Sequence, residues 1–343
     1  MTPPPTQPEP LRGAAATGEY EDDVVAPLPF DEAARVTEGI LDEVCRAVVG
    51  KRDVVRLILS GLLADGHVLL DDVPGVAKTL TARSIATAAG LDFSRVQFTP
   101  DVMPADITGS LVLDLTTRLP EFRPGPVFTQ LLLADEVNRA PAKTQAALLE
   151  AMQERQVTAD GVTHALPRPF LVIATQNPIE SEGTYPLPEA QLDRFLLRTT
   201  MGYPGAEDEV TLLAERIERR TETVALQAVC DAATFRAAQH SLEAIHVDRR
   251  LVQYCVAVVR ATRAEPQLEV GCSPRGTLAL VRLARAEALL SGRDYVGPDD
   301  IRAIAVPALA HRVVLSDEAW ARRLDPRDLV RRAVDRVPVP QAT

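Results

Sequence analysis

The amino-acid sequence predicts an α/β domain built on a largely parallel sheet, followed by a smaller all-helical domain. Three observations lead there. Short continuous apolar runs, "HVLLD" (67–71), "RVQF" (95–98), "QLLLAD" (130–135), "FLVIAT" (170–175) and "FLLRTT" (195–200), alternate with helical stretches, the pattern of strands buried on both faces. From about residue 206 such runs cease and helical patterns take over. The first run leads directly into "DDVPGVAKTL" (71–80), a near match to the glycine-rich loop that wraps phosphate.

The chain of 343 residues is long enough for two domains, and 46% hydrophobic with 25% charged residues is the composition of a soluble globular protein. No run of eighteen apolar residues occurs, and the opening "MTPPPTQPEP" lacks the basic-then-apolar order of a signal peptide. The expected location is therefore the cytoplasm, without membrane insertion. Cys45, Cys230, Cys255 and Cys272 form no C-x-x-C pair, and the five histidines form no H-E-x-x-H, so reduced packing thiols are expected and not a disulfide frame or zinc site. A net charge of -11 weighs against a surface that grips nucleic acid by neutralising phosphates, and favours protein partners.

Taken in order, residues 1–28 are rich in Pro, Ala, Glu and Asp without an apolar period and read as a disordered tail. A helix follows in "DEAARVTEGILDEVCRAVVG", with Gly50 as its stop, and a second in "KRDVVRLILSGLLADG" runs into the first strand. The α/β part is expected over 31–203 and the helical part over 206–338. In the latter, "CSPRGTLALVRLARAEALLSG" carries Ser273 as N-cap, Pro274 at the first helical position and Gly292 as stop. Further helices are expected at 206 in "AEDEVTLLAERIERR", in "GPDDIRAIAVPALAHRVV" and in "DPRDLVRRAVDRV".

The loop departs from G-x-x-x-x-G-K-[ST] at both glycines, with Asp72 in place of the first and Ala77 in place of the last. Strand, turn with Pro74 and Gly75, then Lys78 and Thr79 opening a helix is nevertheless the order that converges backbone N–H groups on an anion. Lys78 would reach the β- and γ-phosphates and the Thr79 hydroxyl would bind Mg2+. Ala77 is expected to take helical dihedrals, since only a positive φ would call for glycine. Asp72 is expected to turn its carboxylate away from the triphosphate. An ordinary strand-turn-helix with a solvated lysine would explain the loop alone.

"QLLLADEVNRA" ends a buried strand in Asp135 and Glu136, at the edge where open α/β sheets bind ligands. There the first carboxylate can hold Mg2+ and the second can activate water; an acidic helix start is the plain alternative. "FLVIATQNPIE" ends at the same edge in Asn177, whose carboxamide suits both γ-phosphate and attacking water, against the plain reading of a turn before Pro178. A lysine loop, an acidic pair and a polar strand end, in that order, make up a hydrolytic nucleotide site.

With those residues in view, the chain resembles the AAA+ ATPases, and within them the MoxR family. The resemblance rests on "VPGVAKT", "GPVFTQLLLADEVNRAPAKTQAALLEAMQERQVT", "FLVIATQNPIESEGTYPLPEAQLDRF" and "CSPRGTLAL", and spans about 31–338. It implies a five-stranded core with a helical lid, assembled into a ring, commonly hexameric. It implies ATP and Mg2+ as cofactors, and assigns Lys78 and Thr79 to Walker A, with Pro74, Gly75, Val76, Ala77 and Leu80 around the nucleotide. Asp135 and Glu136 fall to Walker B, Asn177 to sensor 1, Arg275 to sensor 2 on the lid, and Arg194 to an arginine finger reaching the neighbour's γ-phosphate. Arg139 is a rival or companion for the interface. The stretch around Gly50 resembles the one that lies against adenine. Residues 104–127 resemble a helix-2 insert and about 154–169 a hairpin before sensor 1, with Asp160-Gly161 as its turn; each reads equally as an ordinary surface loop. For either arginine alone, a surface salt bridge is the plain reading.

The family suggests a remodelling or maturation ATPase acting on protein complexes, often with von Willebrand factor A-domain proteins. Two other readings stand beside it: a nucleotide-gated binding switch, which would not need Glu136, and a DNA-directed motor, against which the acidic balance and 4% aromatic content weigh.

Overall fold

The computed structural model of the chain describes residues 25–116, 118–178, 184–221 and 223–340. Residues 1–24 of the expected tail lie outside the described residues. Of residues 25–28, Leu28 is instead held on the core: it packs against it, its N–H donates to the Ala237 carbonyl at 3.5 Å, and Ser241 Oγ donates to its carbonyl at 3.0 Å.

Helices α1 (Phe30–Cys45) and α2 (Arg52–Leu63) lead into β1 (Val68–Asp71), α3 (Lys78–Ala88) and β2 (Phe93–Gln97). The expected first helix stops at Cys45, short of Gly50, which turns the chain at φ 71°. Next come α4 (Pro104–Thr108), the hairpin of β3 (Gly109–Leu113) and β4 (Pro120–Pro124), β5 (Leu131–Asp135) and α5 (Ala142–Glu154). A second hairpin, β6 (Gln156–Ala159) and β7 (Val162–Ala165), precedes β8 (Leu171–Gln176), α6 (Glu189–Leu192) and β9 (Leu197–Thr199). Asp160 and Gly161 close that hairpin with φ of 49° and 80°, the two positive values a tight two-residue hairpin turn demands.

The five long apolar runs form one sheet in the order β2-β5-β8-β1-β9, every pair parallel. Period-two alternation divides their side chains between two cores. Val68, Leu70, Leu131, Leu133, Leu171 and Ile173 face one way. Leu69, Leu132, Ala134, Val172 and Ala174 face the other. Each is buried, and fully burying a Val, Leu or Ile contributes about 1.5–3 kcal/mol, so the sheet sits at the centre of the domain's stability.

The helical part comprises α7 (Ala206–Arg219), α8 (Ala232–Ser241), α9 (Arg249–Arg263), α10 (Pro274–Leu290), α11 (Pro298–Leu309), α12 (Asp317–Ala321) and α13 (Pro326–Asp335). It is not all-helical: β10 (Leu268–Val270) pairs antiparallel with β11 (Val314–Leu315), where Leu268 meets Leu315. Ser273 caps α10 by accepting from the Arg275 N–H, and Asp325 caps α13 by accepting from that of Arg327. The first core continues without a break from the sheet through α1 and α2 into α9, α10, α11 and α13. Two arginines, Arg56 half-buried and Arg312 with a buried side chain, stitch the parts together. Arg56 pairs with Glu287 at 2.8 Å and donates to the carbonyls of Glu287 and Leu290. Arg312 pairs with Asp193 at 2.7 Å and donates to the carbonyls of Phe195 and Leu196.

Two buried histidines pin strand ends. Val172 N–H donates to His67 Nδ1 at 3.1 Å, which leaves Nε2–H to donate to the Met152 carbonyl at 3.0 Å. His311 Nε2 donates to the Phe195 carbonyl at 3.0 Å. Burial pushes the His67 pKa down to about 4 and that of His311 well below its usual value. Below pH 6.5 the unfolded chain binds protons at both that the folded chain refuses, so stability is lost as pH falls from 6.5 towards 4, by up to about 1.4 kcal/mol per pH unit for each group. Glu287, whose pKa burial raises, acts in the opposite sense nearer the carboxylate range. Urea unfolding at pH 7, 6 and 5 should show this decline; a flat profile would mean that the histidines charge in place.

Candidate functional site

Parallel pairing puts the C-terminal ends of β1, β8 and β5 side by side, with about 4.8 Å between neighbouring strands. Lys78 follows β1, Asn177 follows β8 and Asp135 ends β5. The sheet thus brings Lys78, Asn177 and the acidic pair to one edge, with Asn177 between the other two.

In the loop, Pro74, Gly75 and Ala77 are exposed while Val76 and Lys78 are buried. Lys78 Nζ donates to the backbone carbonyl of Asp72 at 2.8 Å, which folds the loop over the lysine. Thr79 is half-buried and Leu80 is 44% exposed on the first turn of α3. No side chain caps α3, so its first N–H groups remain available to an anion.

Ala77 does not take helical dihedrals. Its φ of 63° and ψ of 22° are left-handed, the conformation for which a glycine is ordinarily used, at a cost to alanine of about 1–2 kcal/mol. The turn from strand to helix needs that twist just before Lys78, whatever residue supplies it. Asp72 turns its carboxylate off the loop and accepts from the N–H groups of Met201 (short) and of Gly202 at 2.9 Å. Its side chain ties the loop's start to the end of β9, and only its carbonyl faces Lys78. At Gly50 (φ 71°) a Cβ would lie 2.2 Å from the Asp208 carboxyl carbon, so the start of α7 closes directly over that turn.

The acidic pair is held from three strands. Asp135, 7% exposed, accepts from Thr175 Oγ1 at 2.6 Å through one oxygen and pairs with Arg95 at 2.7 Å through the other. Glu136 has a left-handed backbone, φ 57° and ψ 47°, and its N–H donates to Thr175 Oγ1 at 2.8 Å. Its carboxylate accepts from Gln97 Nε2 at 2.8 Å and from Arg139 at 3.1 Å. Arg139, read as an interface residue, thus lies against Glu136 of its own chain. Asn177 is 2% exposed, and its backbone carbonyl accepts from Asn138 Nδ2 at 3.4 Å. Residues 179–183, in the block linking Asn177 to Arg194, lie outside the described residues.

Hydroxyl and carboxylate oxygens, as Thr79 and Asp135 offer, suit Mg2+. Among the described residues no three His, Cys, Asp or Glu side chains gather to hold a metal, so such an ion would take its other ligands from phosphate and water. Arg95, Gln97 and Thr175 were not singled out from the sequence. Their partners sit on neighbouring strands, and no local spacing signals them.

Arg194 and Arg275 are elsewhere. Leu196 N–H donates to the His67 carbonyl at the start of β1, so Arg194 stands at the N-terminal edge of the sheet. It lines a cavity of about 310 Å³ with Asp65, His67, Arg275 and Arg282. Arg275 pairs with Asp193 at 3.5 Å across that cavity. The sheet therefore stands between both arginines and their own chain's phosphate loop.

The fold and its loaded edge define a nucleotide-hydrolysing protein of the phosphate-loop class. Comparison with known proteins agrees. Residues 67–197 match the model of the ATPase family associated with various cellular activities (AAA), and residues 260–333 match the AAA lid domain. YeaC of Bacillus subtilis is 47% identical over 300 residues, covering 88% of this chain and 93% of that protein. The chaperone MoxR1 of Mycobacterium tuberculosis is 45% identical over 322 residues, covering 89% and 82%. A solved structure from Cytophaga hutchinsonii, whose name assigns it to the ATPases, superposes with a TM-score of 0.83 at 37% identity, covering 91% of this chain and 98% of that one. The chain belongs to the MoxR family of AAA+ ATPases, and it hydrolyses ATP.

The Asp72 contact gives a direct test. Asp72→Ala strands two N–H groups, and each unsatisfied buried donor costs about 1–3 kcal/mol. Urea unfolding should therefore show a loss of about 2–6 kcal/mol, while ATP affinity of the folded fraction stays close to that of the unaltered chain. Unchanged stability with lost ATP binding would instead give the carboxylate to the nucleotide.

Proposed function

We infer that the chain works as a ring, commonly a hexamer in this family, that uses ATP hydrolysis to remodel or mature partner protein complexes. Lys78 and Thr79 hold the phosphates, and Thr79 with Asp135 holds Mg2+. Pro74, Gly75, Val76, Ala77 and Leu80 surround the nucleotide, with Gly50 beside the base. Glu136 orients and activates water, and Asn177 positions it against the γ-phosphate. Mg2+, when bound, supplies charge neutralisation at the phosphates.

One observation carries the ring reading: Arg194 and Arg275 lie at the sheet edge opposite Lys78 and Glu136. An arginine that stabilises charge on the transferring phosphoryl group can then serve only a neighbour's site, which makes turnover depend on assembly. Helix α7 adds support. None of its 14 residues is buried, and Val210, Leu213 and Ile217, on one face, are 67%, 58% and 75% exposed. An apolar stripe of that kind is what a subunit contact covers.

A protein client suits the two hairpins. Phe122 of β4 stacks on His164 of β7 with 3.9 Å between ring centroids, which couples the hairpins into one unit. Leu111, Leu113, Leu115 and Leu119 are exposed on the first. Such a surface can grip a partner, with a von Willebrand factor A-domain protein as the family's usual companion. Glu136 is engaged by Gln97 and Arg139, so turnover requires its release, which partner or neighbour contacts can provide.

The test is ATP turnover against protein concentration. The rate per subunit should rise with concentration, and Glu136→Gln should abolish it while ATP still binds. Arg194→Ala should lower it about a thousandfold. Mixing the two inactive variants should recover part of the activity, because some interfaces then pair an intact Glu136 with an intact Arg194. No recovery would remove Arg194 from the neighbour's site.

A further inference from the structure

A basic groove runs along the sheet edge opposite the phosphate loop. It encloses about 710 Å³ between the end of α2, the end of α5, the turn before β8 and helix α8, and is lined by Arg155, Arg168, Arg236, Arg282 and Arg285. Among the described residues that line the groove, the acids are Asp65, Glu154 and Glu243. Two of those acids already have partners, Asp65 with Arg155 and Glu243 with Arg285. Arg282 donates to the backbone carbonyl of Ala64, which offsets no charge, and Arg285 Nε is buried without an acceptor. Positive charge is thus concentrated in one groove of a chain whose net charge is -11. An anionic occupant completes it.

The chain itself carries one a few residues upstream of its described part. Its described part is pinned at Leu28 to Ala237 and Ser241 of α8. Those residues alternate along the helix with Arg236 and His240, which line the groove. Leu28 therefore lies about one helix diameter, roughly 10 Å, from the groove. Upstream, Glu19, Glu21, Asp22 and Asp23 place four carboxylates in five positions, with no Lys or Arg between residues 13 and 25. Asp23 is five residues from Leu28 and Glu19 nine, spans of up to about 17 and 30 Å when extended, ample to cross.

We propose that the acidic segment 19–23 docks in this groove, its carboxylates meeting Arg236, Arg282 and Arg285. Tethering keeps its effective concentration in the millimolar range, so weak individual pairs suffice to hold it. The groove shares Asp65, Gln153, Arg155 and Arg282 with the cavity that holds Arg194 and Arg275. A docked tail thereby places negative charge beside the two arginines assigned above to the neighbour's nucleotide. That consequence rests on the ring reading; the docking does not.

Binding by itself is the test. A fluorescein-labelled peptide of residues 14–26 is titrated with the full chain and with a full chain carrying Glu19→Gln, Glu21→Gln, Asp22→Asn and Asp23→Asn. Fluorescence anisotropy should show about tenfold tighter binding to the neutralised chain, whose groove is vacated. High salt should abolish the signal, since the screening length shrinks to about 3 Å at 1 M. Arg236→Gln with Arg285→Gln on the neutralised chain should weaken it by a similar factor. A peptide with its own four acids neutralised should not bind, a control that needs no folded variant. Equal affinity for both chains, or binding indifferent to salt or to the peptide's acids, overturns the proposal. So does a single-stranded oligonucleotide that binds the neutralised chain where the peptide fails, which would give the groove to nucleic-acid phosphate.

Discussion

In a parallel sheet, central strands buried on both faces have nowhere to show polar groups except their ends. The alternating side chains of β1, β5 and β8 supply two separate cores, one shared with the helical part and one closed by α4 and α5. Backbone N–H and C=O groups are consumed by the parallel ladders. Chemistry is thereby driven to the two edges. Lys78, Asn177, Asp135 and Glu136 collect at one, Arg194 and Arg275 at the other.

The first edge is built on backbone that is locally unfavourable. Ala77 and Glu136 both sit at left-handed φ without being glycine. Such conformations persist where surrounding contacts over-determine them. Around Glu136 those contacts are the Thr175 hydroxyl, which accepts from its N–H, and the Gln97 and Arg139 groups on its carboxylate. At the loop they are the Lys78 ammonium on the Asp72 carbonyl and the Asp72 carboxylate on the end of β9. The residue that looked least suited to a phosphate loop is thus one of its fasteners.

The helical part belongs to the same solid. Arg312 draws charge from Asp193 while filling the carbonyls of Phe195 and Leu196, so the segment carrying Arg194 is set by the lid. Burial lowers the Arg312 pKa, and its carboxylate partner opposes that shift. Losing one member of such a pair would leave a buried charge uncompensated, which makes the pair a positional device more than a source of stability. Asp193 also receives Arg275, so one carboxylate orients both a helical-domain arginine and the clamp beneath it.

By itself the sequence determined the elements and their order. Strands β1, β5 and β8 were legible because each is a run of apolar residues ended by a polar one, whereas β2 (FSRVQ) is a half-exposed edge strand; Ser273, Pro274 and Gly292 mark α10 through interactions within a few residues. The lysine loop, acidic pair and asparagine were legible because each directly follows its strand. Tertiary structure alone decided what those residues touch. Ala77 is left-handed because of the turn it completes, and alanine carries no mark of that. Asp72 finds Met201 and Gly202 only because β9 lies beside β1, and Arg95, Gln97 and Thr175 reach the acidic pair only because β2 and β8 flank β5. Arg194 falls on the far edge because β9 runs parallel to β1. Local preferences act over a few residues, whereas strand order joins side chains more than a hundred positions apart, and no spacing along the chain records that order.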